Sequence, residues 1–547
     1  MKSRIEWKHA AVAVLALTMV ACSSSESGPA ADGSSSTSSE PQAGGEITVL
    51  TNNFSTGWVP SKSASNLYEA QVWGQITDKL VYVDNDGKVF PWLAESWDVS
   101  EDGTEYVLHL RPGVTFSDGT PFDAETAVAN LNIWAAGDSR RGITRVALFP
   151  KSFESAAAVD DHTVKVTLNR PDLSFIPSLG YHGTIVLSKK TLDLSVDEQS
   201  DLSNIAGSGP FVVTSWAPNQ EVVLEKRPDY DWPAENAQHE GQAYLDTITF
   251  RVIPDDLQRG TSVESGQADI AQNVPPEELS AAKSEGFVVQ TPRFFGAVHG
   301  LQLRLSAQHL DDIKVRQAIQ HAINRDEILQ TVYTEDWLPA TTIFNSNVPE
   351  AVDLSDRFAF DQARAEQLLD EAGWNQVGED GIRVKGGERL SFWAVPTPYV
   401  STSKLEWEVI AQQLKAAGIE VTLRNADISA YAKYGTDDSL PFYEAHNSLV
   451  DAGASSYAQW SSDGADQFRA NDPKLDGLLN DFNLEQDAAK RRDLAIEVQE
   501  YILDQAYFVP LEQISQGTYL QSSKVKGVVF NVVARPWYYD TWLDQSA

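Results

Sequence analysis

The chain has 547 residues, 42% of them hydrophobic, which is ample for sizeable cores and too long for one ordinary domain, so two or three lobes are expected. A formal net charge of -36 and a pI near 4.5 exclude nucleic acid as a natural partner, because phosphate recognition relies on clustered Lys and Arg. The acidity itself describes a soluble surface and names no ligand.

The first residues read as an address. Lys2, Arg4 and Lys8 form a basic start, Ala10 to Val20 is apolar but too short to span a bilayer, and Ala21-Cys22 closes it. Residues 1–21 are therefore expected to be a signal peptide. Cys22 is the only cysteine, so a disulfide within the chain and a multi-thiolate metal site are both excluded. From Ser23 to Gly45 the chain is mostly Ser, Gly, Ala, Pro and Glu with no aromatic residue, the composition of a disordered tether.

Glu46 to Leu50 reads as a first strand, Thr51 to Ser65 as a loop carrying Trp58, and Asn66 to Leu80 as a helix with Leu67, Val72 and Ile76 on its apolar side. Trp97 and Val99, the turn at Glu101-Asp102-Gly103, and then Tyr106, Leu108 and Leu110 alternate as a β-hairpin. A second turn at Ser117 to Pro121 hands over to a helix opened by Asp123 and carrying Leu131 and Trp134. Asp160 to Leu168 alternates as one strand, and Ala206 to Phe211 is a glycine-rich turn into strands at Val212-Val213 and Glu221 to Glu225. No Lys-Ser/Thr follows those glycines, so a phosphate loop is a poor reading. Further on, Ile248 to Ile253 is a strand, Val315 to Asp326 a helix, and Ala365 to Ala372 a helix capped by Asp361 and stopped by Gly373. Leu390 to Val395, Glu406 to Ala416 and Ile419 to Leu423 then form a βαβ unit, which implies a parallel pair and a right-handed crossover.

Several of these stretches resemble one family. Leu93-Ala94-Glu95-Ser96-Trp97, Leu110-Arg111-Pro112-Gly113-Val114-Thr115-Phe116 and Asp118-Gly119-Thr120-Pro121 match its signature in one run. Gly207-Ser208-Gly209-Pro210-Phe211 resembles its crossover motif, and Val315-Arg316-Gln317-Ala318-Ile319 resembles the start of one of its helices. The family is the extracytoplasmic solute-binding proteins, family 5, of ABC importers, which includes peptide, opine and nickel binders. The resemblance implies an α/β, periplasmic-binding-protein-like type II fold in its enlarged three-domain form, with two main lobes, a hinge and an inserted domain. Lobe I would comprise 46–80, 206–290 and 517–547, the inserted domain 81–205, and the other main lobe 291–516. It also implies that Cys22, after Met19-Val20-Ala21, is a lipidated anchor with 22–45 as its tether, placing the protein outside the cytoplasm at the cell membrane. The expected partners are an ABC permease and its ATPase subunits, and the expected state is a monomer.

For the ligand, the resemblance places the first strand and loop at the cleft, making Trp58, Asn66 and Tyr68 candidates; core or rim packing is the other reading of the two rings. Loops at the carboxyl ends of strands in an α/β lobe commonly hold ligands, which singles out Trp393 to Thr402 with Thr397 and Tyr399 as exposed hydroxyls. Tyr399 is equally compatible with lobe core, and Trp393 more so. Peptide binders of the family carry Trp-x-x-Asp-x-x-Asp-Pro in the segment matching Glu444 to Ala452, where the first Asp pairs with the ligand ammonium. Aligned on Asp451, that Asp becomes Ser448 beside Asn447, which offers no charge-assisted bond. Asp451 or Glu444 stands as a possible substitute. The expected ligand is a peptide or peptide-like solute; a sugar, opine or metal chelate on the same scaffold, or a non-transport adhesion or signalling lipoprotein, remains the alternative. The nine His residues show no His-x-x-x-His pair, and no Gly-x-Ser-x-Gly or His-Glu-x-x-His occurs, so no metal, cofactor or enzymatic activity is expected.

Overall fold

The computed structural model describes residues 40–546, apart from 55, 56, 67, 334, 399, 401, 446–449, 514 and 516. The signal peptide, Cys22 and nearly all of the tether thus lie outside the described residues.

The first strand, Glu46–Thr51, sits at the middle of a seven-stranded sheet and runs parallel to both neighbours, Thr247–Val252 and Ile270–Gln272. A strand buried on both faces needs apolar residues on both. Ile47 and Val49 enter the main core, while Leu50 points the other way into a smaller core with Val263, Leu279 and Leu520, where helices Asp256–Glu264 and Pro276–Ser284 cover the sheet. The remaining strands, Glu221–Lys226, Phe211–Ala217, Tyr519–Gln521 and Val288–Gln290, add antiparallel at the edges. One sheet thus draws on three separated stretches of sequence.

Between the first and second of those stretches lies a four-stranded antiparallel sheet, in the order Ala94–Val99, Glu105–Leu110, Thr163–Leu168, Phe153–Asp160. The expected hairpin forms, with Tyr106, Leu108 and Leu110 buried and Trp97 packed against the core, but Val99 is 50% exposed at the end of an edge strand. Asp160 belongs to a separate strand, because its Oδ1 accepts the His162 backbone N–H at 2.9 Å and turns the chain. Asp123 caps the helix Ala124–Ala136, accepting from Thr126 N–H at 2.8 Å.

The expected helix over 66–80 is shorter, Glu69–Ile76. Thr77 closes it by donating its N–H and hydroxyl to the Trp73 carbonyl, at 3.0 and 2.7 Å. Against that end pass Gly207 and Gly209: a Cβ on either would stand 2.0 Å from the Ile76 oxygen or 2.5 Å from its carbonyl carbon. The crossover glycines are there for close backbone approach. The expected helix over 315–326 is two, Ile313–Ala322 and Arg325–Val332, because Asn324 turns out to cap the second, accepting from Glu327 N–H.

In the second half, His299–Leu303 is flanked antiparallel by Phe442–Ala445 and Phe508–Glu512, and the βαβ unit appears as Ser391–Ala394 parallel to Glu420–Leu423 with helix Ser403–Ala416 between. Leu301, Ile319, Leu368, Trp407 and Val509 fill a separate core there. Two segments, 291–298 and 513–518, carry the chain between the seven-stranded and three-stranded sheets, and they bridge each other at Arg293 and Ser515.

Candidate functional site

Beside the two connecting segments, parts of both halves meet. Phe294 and Ala534 are fully buried, and Trp337 and Val400 pack against them. Ala534 follows the last strand of the seven-stranded sheet, whereas Val400 lies in the loop after the parallel strand Ser391–Ala394. This seam is where a ligand would touch both halves.

The first wall stands at the carboxyl ends of the central parallel strands, where a twisted α/β sheet leaves backbone and side chains for a ligand. Gln272 and Asn273 end one of those strands. The Asn273 amide donates to the Tyr68 hydroxyl at 3.5 Å, and Gln272 donates to Tyr519 at 3.5 Å and accepts from Gln71 at 2.6 Å. Arg535, only 5% exposed, is hydrogen-bonded to Tyr519 and near enough to Tyr68 and Tyr181 for its charge to act on them. Burial pushes the Tyr68 hydroxyl up, against the Asn273 bond and the Arg259 and Arg535 charges. Burial also lowers Arg535. This wall is hydroxyls and amides beside two buried guanidiniums, Arg535 and Arg259, the second of which donates to the Gln272 and Asn273 carbonyls at 2.8 and 2.9 Å.

The second wall holds an acid-rich knot. Glu444 Oε2 accepts from the Thr397 backbone N–H, the Ser403 hydroxyl and the Trp407 indole at 3.0, 2.8 and 2.7 Å, and its Oε1 meets His299 Nε2 at 2.9 Å. On the far side of the ring, His299 Nδ1 lies 2.5 Å from Glu512 Oε1 and 3.4 Å from Glu406 Oε2. The Tyr333 hydroxyl bonds both those carboxylates at 3.2 Å and receives the Thr402 hydroxyl at 3.2 Å, while its ring stacks on Trp337 at 4.4 Å. Burial alone would lower His299, but the Glu512 and Glu406 charges overcome it and hold the imidazole well above its ordinary value. Glu406 is driven well up, first by burial and then by the Glu512 charge. Glu444 is likewise penalised by burial, yet the His299 contact and its hydroxyl and backbone donors bring it below the ordinary value. The knot sorts its carboxyls by partner. Among the described residues, His299, Glu406 and Glu444 are the group with the composition of a metal site.

The anticipated ligand residues divide. Tyr68 stands in the first wall. Trp58 is 2% exposed, its ring 5.0 Å from Phe54 and 6.0 Å from Trp73, and so takes the core reading. Asn66 is half-buried and its backbone joins the turn before helix Glu69–Ile76, donating to Ser63 and accepting from Ala70. Thr397 was expected to expose its hydroxyl; it is buried instead, because its N–H is drawn onto Glu444. Asp451 caps helix Ala452–Trp460 and places both carboxylate oxygens 2.6 and 2.7 Å from one Arg491 nitrogen, so its charge is already paired within the fold. Tyr399, Asn447 and Ser448 lie outside the described residues. Sequence reading missed Asn273, Tyr519, Arg535, Tyr333, Trp337 and the His299 knot. Only Asn273, following a strand's carboxyl end, carried a usable local signal.

A surface hollow of ≈ 460 Å³ lined by His309, Asp311, Asp312, Trp374, Lys385 and Glu388 lies beyond the other end of strand His299–Leu303, away from the seam.

Residues 88–468 match the family model described as bacterial extracellular solute-binding proteins, family 5 Middle. The glutathione-binding protein GsiB of Pectobacterium atrosepticum is 29% identical over 349 residues, 63% of this chain and 62% of that protein, so the match spans a little under two thirds of the relative's length. Among solved structures, NikA from Brucella suis in complex with Fe(III)-EDTA superposes with a TM-score of 0.78 at 23% identity, covering 91% of this chain and all of NikA. The oligopeptide-binding protein AppA from Bacillus subtilis, in complex with a nonapeptide, gives 0.74 at 21% identity over 92% of this chain and all of AppA. These likenesses establish the type II periplasmic-binding-protein fold with mixed α/β content, and the matched signature, sheets and connections together make the chain a member of the bacterial extracellular solute-binding proteins, family 5.

Proposed function

We propose that the chain is the extracytoplasmic receptor of an ABC importer, which captures a peptide or peptide-like solute between the two sheets and presents the closed form to the permease. The observation that carries this reading is the seam. Two crossing segments join two sheets, and ligand-capable groups of both halves converge beside them, the arrangement in which a solute stabilises closure by touching both sides. We assign the lobes as 46–80 with 206–290 and 517–547, 81–205, and 291–516, a division that the sheet membership supports. Attachment through lipidated Cys22 and the 22–45 tether would keep the receptor, as a monomer, within reach of its transporter. Catalysis has no assigned part in this cycle.

The peptide-like class rests on the GsiB and AppA likenesses together with the polarity of the first wall. Arg535 and its tyrosines would receive a carboxylate or acyl oxygen, where a guanidinium gives directional, charge-assisted bonds. Thermal unfolding against glutathione, short peptides, oligosaccharides and metal chelates tests it. A ligand at about a hundred times its Kd should add roughly 2.7 kcal/mol to stability. Peptides or glutathione should raise the Tm; a rise with sugars or chelates alone would overturn the ligand class.

A further inference from the structure

We propose that His299, Glu406 and Glu512 bind one divalent transition-metal ion in the second wall, at the point where both connecting segments enter the three-stranded sheet, with Glu444 orienting the imidazole from behind. His299 is the first residue of its strand after segment 291–298, and Glu512 is the last of its strand before segment 513–518. An ion there would tie both crossings to helix Ser403–Ala416 through Glu406.

Geometry places three donor atoms on one side of the ring: Nδ1, Glu512 Oε1 at 2.5 Å and Glu406 Oε2 at 3.4 Å. On the other side, Nε2 faces Glu444 Oε1 at 2.9 Å. A metal-bound imidazole commonly donates its other N–H to a carboxylate, which fixes the tautomer and leaves the lone pair for the ion. Glu444 is itself held by three donors, so it is built to stay in place. One atom each of His299, Glu406 and Glu444 also lie within 4.8 Å of one another.

A separate observation concerns the two carboxyls themselves. The Glu406 and Glu512 side chains, each only 1% exposed, hydrogen-bond each other, and Glu406 Oε1 and Glu512 Oε2 meet no N–H or other hydroxyl among the described residues, so the pair is held by a shared proton that a divalent ion would displace. Three carboxylates share one imidazole, with no Lys or Arg hydrogen-bonded to any of them among the described residues. An imidazole nitrogen with carboxylate oxygens selects ions such as Zn²⁺ or Mn²⁺ over Ca²⁺, whose sites are all oxygen. The ion's ligands lie inside the second wall, but the receptor reading rests on the seam and on the polar first wall, so failure to bind metal would leave that reading untouched.

The test is metal uptake by the purified protein after chelator treatment, with ZnCl2, MnCl2 and CaCl2 offered singly and bound metal counted after gel filtration. One Zn²⁺ or Mn²⁺ per chain is expected, with a higher Tm, no retained Ca²⁺, and at least tenfold weaker uptake in E406Q and E512Q, while H162Q, at an exposed histidine of the four-stranded sheet, binds as wild type. Should the Glu variants fail to fold, Co²⁺ added to the wild-type protein must give visible d–d absorption at one equivalent. No retained metal, no Co²⁺ band, undiminished uptake in a folded E406Q, or Ca²⁺ held as tightly as Zn²⁺ would each overturn the site.

Discussion

Glu444 and Asp451 lie seven residues apart on either side of the segment expected to meet the ligand, and both are turned inward, but into opposite electrical surroundings. Asp451 is matched by Arg491 and a helix N-terminus, a balanced pair that needs nothing further. Glu444 joins two other carboxylates around a single imidazole, an excess of negative charge that a proton or a metal ion must relieve. The comparison shows that an acid near a binding segment is a ligand group only if the fold has left it uncommitted. Both of these already have partners within the fold, Glu444 in His299 and three donors and Asp451 in Arg491.

The largest expected effects come from replacing these two acids. D451A leaves Arg491, 9% exposed, with Glu350 at 3.8 Å as its remaining counter-charge and removes a helix cap, which should cost about 3 kcal/mol in denaturant unfolding. A loss of ligand affinity with no loss of stability would instead make Asp451 a binding residue. E444Q turns an N–H toward the Ser403, Trp407 and Thr397 donors, and should cost about 3 kcal/mol in the same measurement. A neutral result would remove Glu444 from the scaffold.

Asp78 sharpens the contrast as a buried acid with mostly neutral partners. Trp232 Nε1–H donates to it at 3.0 Å and the Tyr230 hydroxyl lies at 3.3 Å, with Lys79 and Arg227 the nearby charges. Burial lifts its carboxyl from 3.8 to about 7. The folded state therefore prefers the protonated form. That contribution is complete below pH 3.8 and is lost as pH rises toward 7, on the order of 2 kcal/mol after allowance for relaxation. D78N should abolish that slope in a Tm series from pH 4 to 8, and parallel curves for the two proteins would show that Asp78 is ionised throughout. The smallest effect belongs to the exposed pair of Lys283 with Glu335 and Asp336, at 3.1 and 2.8 Å, which joins a helix covering the seven-stranded sheet to the second half. K283E should leave the unfolding midpoint almost unchanged, as expected of an exposed ion pair, yet enlarge the ligand-free radius of gyration in small-angle scattering; an unchanged radius would show that the contact does not hold the halves together.

The sequence made the scaffold readable because its signals are local. Asp123 and Asp361 cap helices, Gly373 and Gly418 stop them at φ +86° and +89°, and the parallel pair around helix Ser403–Ala416 follows from spacing alone. Where a boundary slipped, a side chain had intervened: Thr77 ended one helix early, and Asn324 cut another in two. The site was far less legible because its members are distant in sequence. Glu444 and Glu512 reach His299 across 145 and 213 residues, and no spacing rule connects them. Thr397 and Asp451 were misjudged for one reason. Both look like free polar groups until the partner that consumes them, Glu444 or Arg491, is brought alongside by the fold.

The central claim is that the seam binds a peptide-like solute without a carboxylate anchor for its amine. The direct measurement is the Tm of the protein with matched peptides bearing a free or an N-acetylated terminus, each also with a free or amidated carboxyl end. Acetylation should leave the shift unchanged, whereas amidation should reduce it, because in the proposed reading Arg535 and its tyrosines receive the solute's carboxylate. A shift that survives amidation but vanishes on acetylation would contradict the account, and would place an uncommitted acid at the ligand's amino end.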